Sequence, residues 1–429
     1  MLRVTGAERF LIDPETERDG ELFVVDGLVA EGAPDDAEVL DASGCVVTPG
    51  LVNAHHHLLQ TAFRTLPGTR GVAMRDWLPT MAAAYAAAGV DAELAGIAAS
   101  VGVAEALLSG VTTVADHHLT WPPGADSVAI AHATADAARA LGGRLVFVRG
   151  SARDDPQEAA ASAEAIVQSF TADVPGGLSP DGMLQLAVGP AGVHSDSRET
   201  FELLGEVAAR HGLRRRTQAN EQVDVEIARE KYGRRPIELL DEWGWLAPDV
   251  TLAHLCAVTT DEIARLAEAA VTATHAPGCD LPMGWGIAPV AALRDAGIAV
   301  GLGTSGGGSN DAGHLLADAR LALQVAPLVG RPLAAREVLG MATEGSALGL
   351  GRSELGHLRP GGAGDLCVWD VSGAADAGVA DPVAGLLWAN PGRRPKHVVV
   401  AGRVVVRDYE LVSADERELV GALRRRVGR

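Results

Sequence analysis

"VVTPGLVNAHHHLLQT", residues 46–61, is a short apolar run that passes through Pro49 and Gly50 and ends on three consecutive histidines. A brief apolar run that stops on polar residues is what a buried strand looks like when its carboxyl end reaches a functional rim. Seven further runs share the pattern: "GVTTVADHH", "GRLVFVRG", "LQLAVGPAGVHS", "LRRRTQANE", "VTLAHLCAV", "AAVTATHAPG" and "GIAVGLGTSG". Helical intervals such as "DAELAGIAASVGVAEALLSG" and "RETFELLGEVAARHG" separate them. Eight runs alternating with helices predict an α/β fold, a (β/α)8 TIM barrel over residues 50–354. The fifth run fits least well, because three arginines in a row suit a buried strand poorly.

Outside the barrel the texture changes. "GELFVVDGLVAEG" and "EVLDASGCVVTPG" near the start, and "GDLCVWDVSG" and "PKHVVVAGRVVVRDYELV" near the end, read as short alternating strands broken by Gly and Asp. Residues 1–49 and 355–429 are therefore expected to form one small β-sandwich lobe, with Gly/Pro-rich "LRPGGAGD" handing the chain back to it. No internal repeat is evident.

Composition narrows the function. A hydrophobic share of 47% leaves ample material for a core, and a net charge of -20 argues against binding nucleic acid, which usually needs a basic face. Lys231 and Lys396 are the only lysines, so arginine carries the positive charge. Cys45, Cys256, Cys279 and Cys367 lack paired spacing, which points to a reducing, cytoplasmic setting and to small buried thiols. The start, "MLRVTGAERFLIDPETERDG", has no basic region followed by a long apolar run, and no stretch reaches membrane-spanning length. Neither export nor a membrane is expected.

The rim residues carry the chemistry. His55 and His57 stand two apart on a strand and so share a face, which offers two imidazoles to a borderline metal such as zinc. Asp116 to His118, His194, Gln218 to Glu221, His254, His275 and Ser305 end the other runs. His117 and His118 could support ligands or simply line the rim. His194 could replace a ligand, carry a proton or bond substrate, and Arg149 could hold a carbonyl or anionic group or form an ion pair.

"TPGLVNAHHHLLQT", "TTVADHH", "KYGRRPIELLDEWGWL", "LAHLCAV", "GIAPVAALRDAGIAVGLGT" and "GSNDAG" resemble the amidohydrolase superfamily over nearly the whole chain. The resemblance is to its branch of N-heteroaromatic aminohydrolases, with guanine, 8-oxoguanine and pterin deaminases and triazine hydrolases. It implies zinc on His55 and His57, a substrate ring facing Gln60, and Trp77 either stacked on that ring or packed in the core. It also implies a proton shuttle at Glu221, a histidine orienting the attacked group at His254, a site role for His275, a small aromatic substrate and a homodimer.

Two ligand positions depart from the pattern. Gln218 stands where the third histidine is expected, and Ser305 where strand eight normally brings the aspartate that binds metal and takes a proton. A neutral amide is a weak zinc ligand and a hydroxyl a poor base. Glu221 could serve as base instead, and His254 could enter the metal shell beside His55 and His57. Three readings stay open: a deaminase-type hydrolase, a dehydrating cyclase that closes a ring such as benzoxazole in specialised metabolism, and a metal-free ligand-binding barrel.

Overall fold

The computed structural model describes residues 1–171 and 177–428. All eight runs form strands: Leu51–His57, Val111–His118, Arg144–Ser151, Leu184–Pro190, Arg214–Ala219, Val250–His254, Thr272–His275 and an eighth in two pieces, Val300–Leu302 and Ser305–Gly306. Every neighbouring pair is parallel. The second piece of the eighth strand pairs with His56 and His57 of the first, which closes the barrel. Strands buried on both faces are built from Val, Leu, Ala and Thr, as parallel sheets covered by helices require.

The opening run is two strands, not one. Cys45–Pro49 belongs to an outer sheet and Leu51–His57 to the barrel. Gly50 marks the handover, since a Cβ there would lie 2.3 Å from the Thr112 hydroxyl.

The fifth run is a strand in spite of its arginines. Arg215 pairs with Asp249 and lies over the Trp245 ring, while Arg214 reaches the Pro248 and Gly349 carbonyls. Arg216 turns into the barrel and donates to the carbonyls of Ala54 and Gly349, so its charge rests on peptide dipoles.

Both chain ends build the outer layers. A four-stranded sheet runs in the order 28–30, 22–25, 2–5, 38–41, and a seven-stranded sheet in the order 410–411, 403–407, 397–400, 366–370, 45–49, 9–13, 16–18. Leu2, Val4, Phe10, Leu22, Val47, Leu366 and Val399 form the core between them. The chain's last helix, Glu416–Val427, leaves these sheets: Arg426 donates to the carbonyls of Ala88 and Gly89, and Leu423 and Val427 pack against a cluster that contains Trp77. Among the described residues no single helix is long and apolar enough to cross a membrane.

Barrel and outer sheets are tied by a buried forked ion pair, Arg144 Nε to Asp365 Oδ2 at 2.7 Å and Nη2 to Oδ1 at 2.9 Å. Asp365 also accepts the Ala401 N–H at 2.7 Å. Asp365→Ala strands a buried guanidinium and is expected to cost about 3–5 kcal/mol, read as a lower urea midpoint.

Candidate active site

The first strand sets the centre. His57 donates Nδ1–H to the His117 carbonyl at 2.6 Å, which fixes its tautomer and leaves Nε2 with the lone pair. The His55 ring lies 4.9 Å from it, centroid to centroid, with Nε2 buried and without a hydrogen-bond partner among the described residues. Between them His56 points the other way and meets the Thr304 hydroxyl at 2.8 Å, while Asn53 donates to the same hydroxyl at 2.7 Å. Burial and the neighbouring imidazoles hold His55 well below its ordinary pKa, and burial takes His57 down to about 4. Both rings are therefore neutral at pH 7.

Across from them the sixth strand ends on His254, whose ring lies 5.2 Å from that of His55. Its backbone has φ 76°, a left-handed conformation that a non-glycine residue adopts at some cost and that recurs at functional sites. Nδ1–H donates to Asp280 Oδ1 at 2.6 Å, and Nε2–H faces Gln218 Oε1 at 3.1 Å. Burial alone would lower its pKa, but Asp280 and then Glu221 raise it above the ordinary value. Asp280, despite burial, is held at about 2 by His254 and His275. Glu221 Oε1 is 3.7 Å from His254 Nε2, both of its oxygens are buried without partners, and burial raises its pKa.

This chemistry fits a divalent metal. A buried imidazole nitrogen with no partner, a second imidazole locked in a ligand tautomer and an unbonded carboxylate are donors that a cation would satisfy. His254 would first have to release Gln218 to become a third ligand. His254, Cys279 and Asp280 also place possible ligand atoms within 4.8 Å of one another.

A cavity of about 480 Å³ opens above the centre, with His57, Gln218 and Ser305 on its wall. Trp77 lines it and donates Nε1–H to the Gly308 carbonyl at 3.0 Å. Gln60 also lines it, its Oε1 accepting the Gly308 N–H at 3.0 Å. His118 is on the wall too, turned to the Thr120 carbonyl at 3.1 Å and packed on Trp121.

Arg149 does not reach the cavity. Its guanidinium is buried 2.7 Å from Asp154 and 4.8 Å from the Trp121 ring centroid, because the loop after its strand supplies that carboxylate. His275 is likewise buried off the cavity wall, with Nδ1 3.6 Å from Asp280 Oδ2. Sequence reasoning missed Asp280, Asp224 and Trp285. Asp280 lies five residues past His275, a spacing that could have drawn attention to it.

His194 lies on the wall with Nδ1 3.3 Å from the buried Asp224. Burial opposes its charge, but Asp224 and Glu221 outweigh that and lift its pKa to about 9.

The profile of the amidohydrolase family matches residues 46–405. The 8-oxoguanine deaminase of Pseudomonas aeruginosa is 34% identical over 414 residues, covering 94% of this chain and 91% of that protein. An isoxanthopterin deaminase from an unknown prokaryotic organism is 32% identical, covering 99% and 94%. Among solved structures, atrazine chlorohydrolase from Arthrobacter aurescens TC1 complexed with zinc superposes with a TM-score of 0.91 at 33% identity, covering 100% of both chains.

A folded pKa raised from 6.5 to about 9 means that His194 adds stability in full below pH 6.5 and loses it as pH rises through 9. Asp224→Asn is expected to lower that midpoint and flatten the loss. Histidine NMR titration, with thermal melts at about pH 6 and about pH 10, checks both.

Proposed function

The chain belongs to the amidohydrolase family, and we propose from that premise that it is a zinc hydrolase releasing ammonia or a similar leaving group from a small aromatic heterocycle. The observation that carries the reading is Glu221, a buried carboxylate with two unbonded oxygens 3.7 Å from the His254 ring nitrogen. His55 and His57 would hold the metal, with Gln218 completing its protein ligands. Zinc bound there supplies a Lewis acid that lowers the pKa of water toward neutrality.

This chain's residues then handle the protons. Glu221, its pKa raised by burial, accepts a proton from the attacking water as oxygen bonds to the ring carbon. It returns that proton to the leaving nitrogen as the C–N bond breaks, giving ammonia and a hydroxy ring that becomes the oxo form as its O–H proton passes to the neighbouring ring nitrogen. His254 donates Nε2–H toward the oxygen or ring nitrogen on which negative charge grows, and Asp280 holds it charged and aimed. Ser305 is neutral, so the proton work falls to Glu221 alone. Gln60 and Trp77 on the wall take the ring, and a homodimer is the assembly we propose.

The relatives described above are named as deaminases and a chlorohydrolase, which favours hydrolysis over ring closure and turnover over simple binding.

Elemental analysis is expected to find near-stoichiometric zinc in the purified protein and none in a His55→Ala/His57→Ala variant. Metal-free protein that stays metal-free with added zinc would sink the reading. Glu221→Gln is expected to cut kcat by about 10²–10⁴-fold while leaving zinc content and ring binding in place, measured by ammonia release.

A further inference from the structure

The cavity is larger than the ring that the centre beneath it would act on. Allowing each heavy atom the ~30 Å³ that a water takes in the liquid, a bicyclic ring of about ten heavy atoms leaves roughly a third or more of the 480 Å³ empty.

Helix Met74–Ala88 shows where that space lies. It passes the reacting centre at its start: Trp77 donates to the Gly308 carbonyl, and a Cβ on Gly308 would lie 2.5 Å from the Met81 methyl. Gly308 belongs to the loop that follows Ser305. Beyond Met81 the helix rises about 1.5 Å per residue, which carries Ala86 roughly 7 Å farther along the axis. Its far end is pinned as well, with the Ala88 and Gly89 carbonyls accepting from Arg426.

Met74, Leu78, Met81, Ala82, Tyr85 and Ala86 all line the cavity, and their spacing of three and four residues puts them on one face. That face offers carbon. The Tyr85 hydroxyl is turned to Gln60, and its ring meets Phe63 edge-on at 4.9 Å. Trp77 has given its N–H to Gly308, and Trp121, which joins the lining from the loop after the second strand, gives its own to the Gly150 carbonyl at 2.7 Å. An ordered water needs about two to four polar partners, and this face has at most the Tyr85 hydroxyl. Its natural filling is apolar.

We propose that the substrate carries, besides the ring that reacts, an apolar arm of about a phenyl group's size, which lies along the helix face from Met81 to Ala86. The proposal deepens the hydrolase reading and rests on it for the reacting ring. Met81, Ala82 and Ala86 are then specificity-determining residues, and none takes part in bond breaking.

The test is calorimetric binding of hypoxanthine and of its monobenzyl isomers to the zinc-loaded full chain. None of these rings has an amino group to lose. At least one isomer is expected to bind about tenfold or more tighter than hypoxanthine, because its arm leaves water for the apolar face. Ala82→Asp and Ala86→Asp each set a carboxylate on that face, at positions exposed to the cavity and outside the core. Each should weaken the favoured isomer about tenfold and leave hypoxanthine unchanged, which a general loss of structure would not do. No isomer tighter than hypoxanthine, a gain that survives both variants, or no binding of any ring overturns the proposal. A favoured isomer in a protein that releases no ammonia from any aminated ring, bare or benzylated, would remove the hydrolase reading and leave the arm site standing. Ammonia release from bare rings alone would do the reverse.

Discussion

The pairing of Ser305 and Gly306 with His56 and His57 is the contact on which the site depends. It closes the barrel at the point where the candidate ligands leave the first strand. Gly303 permits the approach, since a Cβ there would lie 2.7 Å from the His55 carbonyl oxygen. Thr304 holds it from the side, its hydroxyl accepting from Asn53 and hydrogen-bonded to His56. The middle histidine thus works as a structural clasp, and the outer two are left facing inward. Alternation along a strand gives one residue to closure and its neighbours to the centre.

Charge is distributed unusually around that centre. Arg216 lies buried inside the barrel and donates to carbonyls, and Ser305 contributes no negative charge. Asp280 and Glu221 supply the anions, one on each side of His254. Because burial raises the pKa of Glu221 while His254 and His275 hold that of Asp280 down, two carboxylates a few ångströms from one histidine differ in their affinity for a proton. Separating two carboxylates in this way divides orientation from proton transfer.

The outer parts of the fold serve the cavity as well. Helix Glu416–Val427 packs on the cluster containing Trp77, and Gly308 on the loop after the eighth strand receives both Trp77 and Gln60. The apolar wall is therefore held by the chain's end and by the barrel's last loop, although neither contributes a metal ligand.

The sequence by itself determined the barrel, its eight strands and their polar carboxyl ends, because buried parallel strands must be apolar and the rim must not. It also singled out His55, His57, Glu221 and His254, and the oddities at Gln218 and Ser305. Only the tertiary structure decided which way each side chain faces. Arg149 turned out to be spent on Asp154, Arg216 to be housed by carbonyls, and Asp280 to hold His254. Such partners come from different strands and loops, and a hydrogen bond between residues far apart in sequence depends on where closure places them. Strand periodicity reports burial, but pairing is settled by distances of about 3 Å that local sequence does not contain.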